Sequence, residues 1–369
     1  MRQLPIGLDI GTTTVRLLQL GGTERDLRAV DAAKFTIPVE AKADAGRRHG
    51  FIVEGIRRLI REHRFRGREV VMALAPGELA VRNIRMRQMG DEELAATVNW
   101  EAQGKFPFDT ATAVIQHLRA GEVRQGEQTL DEVILFAAPR VEVDAQIRLA
   151  GEAGLELVSL DAEPCAVFRG FERFLRRRED EGVVTVLADI GAQTTIVIAR
   201  GRDVVFVKAI PIGGAVFNRA VGENLELAAT EAEALRRRLG RRTDKPQPAD
   251  EDGSDNVQRA VTDAIRPHIE DLANEIGLCL RYYGVTFRGP RAESIWFTGG
   301  ESHNPAIPTL LGERLGVTPH AGDPFRGVRT DHLGPVLDRR APLCEWTTAF
   351  GLSLKGFHLA NQCSTGFAA

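Results

Sequence analysis

Several common protein classes are excluded by what this 369-residue sequence lacks. Its four cysteines, Cys165, Cys279, Cys344 and Cys363, show no C-x-x-C spacing, and its eight histidines are scattered. Neither a disulfide framework nor a zinc site is expected, and the thiols read as reduced. No apolar run approaches the roughly 20 residues of a membrane helix. The opening MRQLPIGLDIG runs straight into a strand pattern, so no secretory signal is expected. The net charge is −3, which gives no electrostatic support to a nucleic-acid partner. What remains is a globular chain of about two domains, with hydrophobic residues at 43%, ample for large cores.

One stretch organises the rest. In IGLDIGTTTVRLLQL, Ile6, Leu8 and Ile10 alternate, a Gly and three Thr follow, and Val15, Leu17, Leu18 and Leu20 resume the apolar pattern. This is a strand, a tight turn and a strand. Asp9 ends the first strand, and Gly11, Thr12 and Thr13 form the turn. Successive N–H groups in such a turn make an anion cradle. A carboxylate beside it suits a phosphate-bound Mg²⁺, which takes carboxylate, water and phosphate oxygens. A single D-x-G hairpin could equally be a plain turn. A second copy, VTVLADIGAQTTIVIA at 184–199, repeats the unit with Asp189, Gly191, Gln193 and Thr194. Two such turns face to face would clasp a phosphate chain and its metal. A third element, SIWFTGGES at 294–302, is a short buried strand ending in Gly299 and Gly300, with a helix starting near Pro305.

These three elements, in this order, resemble the two phosphate loops and the adenosine motif of the actin / Hsp70 / sugar-kinase superfamily of ATP-binding proteins. The resemblance implies an α/β actin-like ATPase fold, two related α/β domains flanking a nucleotide cleft. It implies ATP and Mg²⁺ as ligands, with Asp9 and Asp189 holding the metal through water. Gly11, Thr12, Thr13 and Arg16 would meet the phosphates from one side. Gly191, Gln193, Thr194, Gly213 and Gly214 would meet them from the other. Glu231, Arg236, Gly299 and Gly300 would line the nucleoside, although Glu231 and Arg236 could equally be a solvated helix face. Glu163 is the carboxylate on the expected γ-phosphate side that could orient water as a catalytic group. At a helix start it could instead simply favour the N-terminal dipole.

The order of elements gives the domain plan. Residues 1–77 read as a first α/β subdomain: three strands, a loop over 38–50, a helix over 51–65 with Ile52, Ile56, Leu59 and Ile60 on one face, and a strand at 70–75. Residues 161–181 and 340–369 complete it. Residues 78–160 follow a β-α-β-β-α-β order and read as an inserted ferredoxin-like subdomain. Residues 182–339 repeat the first half. They include a mobile loop at 243–256, rich in Pro, Asp and Gly, and a helix over 257–283 that Pro267 should kink or break. The tail from Gly356 shows no amphipathic pattern.

An insertion at this place is found in the cell-division family FtsA and the type IV pilus assembly family PilM. Several phrases resemble PilM: the opening strand–turn–strand, with Arg16 where that family usually has Lys; DEELAATVNWEAQGKFPFD at 91–109; DAEPCAVF at 161–168; DIGAQTT with IPIGG; and LAATEAEALR at 227–236. The resemblance implies a cytoplasmic protein, peripheral to the inner membrane, that docks the cytoplasmic N-terminal tail of a PilN-like membrane protein. That tail would sit between the first subdomain and the insertion. Other pilus platform or motor components and self-association are further expected contacts. ATP would act as a clamp or switch with little turnover. The alternatives are an FtsA-like division protein, a small-molecule kinase, and a scaffold that has lost nucleotide binding. The tail lacks the basic membrane helix of the first, no sugar-cleft Asp supports the second, and the retained Asp9, Asp189 and glycine pairs oppose the third.

Overall fold

The computed structural model describes residues 3–42, 44–74, 77–240, 252–330, 333, 336–337 and 342–364. The first sheet opens with a meander of β1 (Gln3–Ile10), β2 (Thr14–Thr23) and β3 (Asp26–Thr36). Leu4, Ile6, Leu8, Leu17, Leu18 and Leu20 are all buried. Both faces of the sheet are covered, which is why its strands read as nearly continuous apolar runs. A short turn of helix, α1 (Val39–Lys42), leads to α2 (Ala45–Glu62). The Asp44 side chain accepts the Arg47 N–H at 2.7 Å and caps α2. Helix therefore begins at Ala45, inside the stretch that the sequence reads as a loop. β4 (Glu69–Leu74) pairs parallel with β1.

The insertion contains β5 (Ala80–Arg87), α3 (Asp91–Glu101), β6 (Ala113–Gln125) and β7 (Gln128–Pro139), with antiparallel strand order β5-β7-β6. It corrects the ferredoxin-like reading in one respect. The last two elements of that series, α4 (Arg140–Glu152) and β8 (Glu156–Ala162), return to the first sheet, where β8 pairs parallel with β4. Leu149, Ala150, Ala153 and Leu155 are buried with Ile52, Ile56 and Val70, so their apolar surface belongs to the first core. The short strand pattern at β8 fits either sheet, and periodicity alone does not choose between them.

Helix α5 (Glu163–Glu172) carries the chain into the second half. There β9 (Val184–Ile190), β10 (Thr194–Arg200) and β11 (Asp203–Ile210) form a second meander. Helices α6 (Gly214–Leu225), α7 (Ala229–Gly240) and α8 (Asp252–Phe287) follow, then β12 (Ser294–Thr298), α9 (Ala306–Leu315) and β13 (Thr318–Ala321). The sheet orders are β3-β2-β1-β4-β8 and β11-β10-β9-β12-β13, the same arrangement built twice. Residues 241–251 of the stretch around the expected mobile loop lie outside the described residues, and α8 begins at Asp252. Pro267 does not break α8. It removes one backbone bond from a helix anchored on both sides by buried Ile265, Ile269, Leu272 and Ile276.

The last helix, α10 (Thr347–Ser364), covers the first sheet and packs on α5, so much of the expected unpatterned tail is helical; residues 365–369 lie outside the described residues. The approach is close enough to require glycine. A Cβ at Gly351 would lie 1.7 Å from the Ala166 carbonyl oxygen. Ser353 Oγ donates to the Pro5 carbonyl at 2.8 Å and accepts the Leu20 N–H at 3.0 Å, which fixes α10 on β1 and β2. The insertion, although its chain belongs between elements of the first domain, rests on the second. Asn83 Nδ2 donates to the Val207 carbonyl at 2.8 Å, and fully buried Glu132 accepts from Arg85 at 3.2 Å and from the Tyr282 hydroxyl.

Gly351→Ala should therefore force α5 and α10 apart and cost about 3 kcal/mol. Gly50→Ala, in α2 with open space around it, should be neutral or gain up to about 1 kcal/mol. Thermal unfolding of the two variants checks this, and equal melting temperatures would show that the two helices separate freely.

Candidate functional site

The two hairpins place their carboxylates by strand register. Asp9 lies opposite Arg16 across the β1–β2 hairpin. Asp189 lies opposite Thr195 across β9–β10 and beside Thr298 on β12. Directly opposed residues share a face of the sheet, and the contacts follow. Arg16 Nη1 is 3.2 Å from Asp9 Oδ2. The Thr298 hydroxyl donates to Asp189 Oδ1 at 2.7 Å, and the Thr195 hydroxyl donates to Glu163 Oε2 at 3.1 Å. Glu163, the first residue of α5, is buried beside Asp189. It is the helix-start carboxylate and also a neighbour of Asp189 and Asp9.

Three carboxylates thus share one small region, and among the described residues Arg16 pairs with one of them. Burial pushes Asp9 above its ordinary range, against the pull of Arg16 and with the Asp189 charge adding to the rise. Burial also raises Asp189, against hydrogen bonds that lower it. Burial raises Glu163 furthest, reinforced by the charge of Asp189. This is the electrostatic condition of a site short of positive charge.

The turns are held from behind. In the first, the Gly11 N–H donates to the Thr14 carbonyl, and the Thr13 carbonyl accepts the Ile37 N–H at 2.9 Å. Thr12 is exposed and Thr13 half-buried. In the second, the Gly191 N–H donates to the Gln193 carbonyl, while the Gly191 and Ala192 carbonyls accept the N–H groups of Gly214 and Ala215 at the start of α6. A Cβ at Gly213 would lie 2.8 Å from the Gly191 oxygen, so no larger residue fits between turn and helix. Thr194 is fully buried, and its hydroxyl donates to the Ile212 carbonyl at 2.6 Å. Its side chain therefore braces the turn and presents nothing to the cleft.

On the nucleoside side, Gly299 has φ +84°, and a Cβ there would lie 2.5 Å from the Ile190 oxygen. Its N–H donates to the Cys344 carbonyl at 3.1 Å, a bond between the two halves. Exposed Gly300 opens a helical turn that carries Glu301. Buried Arg236 pairs with Glu301 and donates to Asn218 Oδ1 at 2.6 Å and the Gly214 carbonyl at 3.3 Å. Glu231 is exposed, and its carboxylate accepts the Ala228 N–H at 2.9 Å, which makes it a cap on α7. Of the residues picked out from the sequence, the carboxylates, Arg16, Arg236 and the glycines meet around one cleft; Thr194 and Glu231 turn to other tasks.

Four further residues join the site. Thr195 and Thr298 fix the carboxylates, and strand alternation counted from Asp189 would have found the first. Glu301 and Arg48, whose Nη2 donates to the Gly11 carbonyl at 3.1 Å, left no sequence signal. The buried Nε atoms of Arg16 and Arg236 have no partner among the described residues. Unpartnered donors, carboxylates lacking counter-charge and glycine cradles together fit a bound polyanion with a cation. Asp9 and Asp189 are the residues that would hold the cation. No three described acidic, His or Cys side chains converge as direct metal ligands.

Two matched α/β domains around a carboxylate-floored cleft define the class: the chain has the actin-like ATPase fold. The fold is shared with the ethanolamine utilization protein EutJ from Carboxydothermus hydrogenoformans, at 15% identity over 96% of this chain and 90% of that one, with a TM-score of 0.55. It is also shared with MreB5 of Spiroplasma citri bound to ADP, at 14% identity over 99% of each chain, with a TM-score of 0.50. Within the class, the model of the family described as type IV pilus assembly protein PilM matches residues 7–357, and the chain belongs to that family. It is similar to a PilM–PilN type IV pilus biogenesis complex structure at 25% identity over 95% of this chain and 98% of that one, with a TM-score of 0.77. No curated protein matches the chain in sequence.

Glu345, just before α10, also joins the halves: His303 Nε2 is 2.5 Å and Lys34 Nζ 3.2 Å from its carboxylate. Burial pushes this carboxyl up, but the hydrogen bond and charge of His303, with Lys34 and Arg16, outweigh it and hold it at about 2. A depressed carboxyl stabilises the fold above its unfolded value, and the gain is lost as pH falls toward the folded value. Glu345→Gln should therefore be clearly less stable than wild type at pH 7, with the gap closing between pH 4.5 and 2. Denaturant melts across that range check it, and a gap independent of pH would remove Glu345 as an ionic tie.

Proposed function

We propose that this protein is a cytoplasmic ATP-binding component of the inner-membrane platform of a type IV pilus or related secretion machine. It binds ATP with Mg²⁺ between its two α/β domains and docks the cytoplasmic tail of a PilN-like membrane protein. The observation that carries the nucleotide reading is the cluster of Asp9, Asp189 and Glu163 beside the unpartnered Nε of Arg16. When bound, the metal would supply counter-charge to the phosphates and to these carboxylates. Gly11 and Thr13 from one turn, and Gly191 and Gln193 from the other, would orient the phosphates. Arg236 and Gly299 would bound the nucleoside.

Low turnover follows from the same geometry. Glu163, the carboxylate that could orient water, is buried and already accepts the Thr195 hydroxyl, which leaves it poorly placed to take a proton from attacking water. The nucleotide then serves as a clamp that favours the closed state through differential binding.

For the tail, the favoured surface is the junction where the insertion rejoins the first domain. Val141 and Ile147 of α4 are 63% and 49% exposed there. Beside them, buried Gln146 donates to Glu78 but leaves its Oε1 without a partner. An extended tail would cover Val141.

Calorimetric titration with ATP and Mg²⁺, and separately with a synthetic PilN-like tail, tests both halves. Asp9→Ala should abolish nucleotide binding and leave tail binding. Val141→Glu should weaken tail binding about tenfold and leave nucleotide binding. Tail binding by a wild type that ignores Mg–ATP would sink the clamp and keep the platform.

A further inference from the structure

The nucleotide cleft is bridged by an ion pair that the sequence gives no reason to suspect. Lys42, the last residue of α1, places Nζ 3.1 and 3.0 Å from the two carboxylate oxygens of Glu233 on α7. The two residues stand on opposite walls. The chain leaves the first phosphate turn at Ile37, whose N–H is held by the Thr13 carbonyl, and touches that turn again through Arg48 and the Gly11 carbonyl. Lys42 lies between these attachments. Glu233 lies one helical turn before Arg236, which is fixed to Gly214 behind the second phosphate turn. The pair therefore joins a segment anchored on one turn to a helix anchored on the other.

We propose that Lys42–Glu233 is a latch across the mouth of the cleft and sets the rate at which nucleotide leaves. The inference rests on the nucleotide reading above and adds its regulation. The side chains are only 23% and 17% exposed, so solvent screens the pair less than it would a surface contact. Glu233 also receives Arg237 of its own helix at 2.9 Å, so removing Lys42 leaves the carboxylate paired and the fold intact. Gly299 to Cys344 and His303 with Lys34 on Glu345 also join the halves, at the Gly299 turn, while Thr195 joins them at Glu163 and the insertion is bonded to β11 and α8. Opening the latch would widen the mouth while those ties hold.

The test loads the full chain with a fluorescent ATP analogue and Mg²⁺ and follows release after a chase with unlabelled ATP. Lys42→Met and Glu233→Gln should release about fivefold faster than wild type, and Lys42→Arg should stay close to it. A second readout needs no nucleotide: hydrogen–deuterium exchange of α1 and α7 should rise in Lys42→Met and not in Lys42→Arg. Unchanged release in both charge-removing variants overturns the latch and leaves the nucleotide site standing. If wild type binds no nucleotide, the functional reading and the latch's role in release both fall, and the exchange data alone decide whether the pair joins the walls.

Discussion

Uncompensated negative charge at the ends of two strands is the constraint on which the rest of this structure depends. Asp9, Asp189 and Glu163 are buried close together, and mutual repulsion with desolvation makes that costly. The protein meets the cost locally. Arg16 pairs with Asp9, while the Thr195 and Thr298 hydroxyls donate to Glu163 and Asp189. These partners are available because the hairpins have a fixed register, and the register holds because both faces of each sheet are buried. A slip of one residue would turn Thr195 away and bring Thr194 in. The cleft is therefore only as well defined as the two sheets that end in it.

Repetition within one chain makes this possible at both sides. The two sheets share one strand order, so each supplies a carboxylate at the end of its central strand and a glycine turn just beyond. The halves differ in what surrounds the turn. The second is stitched to the start of α6 by backbone bonds, while the first is steadied by Ile37, just after β3, and by Arg48, near the start of α2. The insertion adds an asymmetry. Its chain leaves and re-enters the first domain, yet Glu132 and Asn83 tie it to α8 and β11.

Much of this could be read from the residues alone, for a definite reason. Asp9, Asp189 and Gly299 end strands whose apolar patterns are strong, and position along a strand fixes where a side chain goes. The family phrases lay in the same places. What stayed hidden depends on distant partners. Lys42 and Arg48 fell in a stretch that reads as loop: Lys42 ends the four-residue α1, and the Asp44 cap that starts α2 is one residue among several polar ones. Thr194 and Thr195 look alike in sequence and differ only in face. The return of α4 and β8 to the first sheet could not be seen because a short apolar strand does not declare its neighbour. Pro267 misled because local propensity yields to a helix packed along its length.

The seating of α10 on β1 has a consequence for how the molecule is made. Ser353 grips the carbonyl of Pro5, so β1 waits for a residue made 348 positions later in the chain. The second sheet, by contrast, uses only residues between Val184 and Ala321 and can close while synthesis continues. During translation the β1–β2 face, with Leu4, Leu18 and Leu20 on it, stays without its cover. Nascent chains of this fold are thus exposed to aggregation at their N-terminal sheet, and a chaperone that shields that face early would act where the covalent order of the chain leaves the greatest delay.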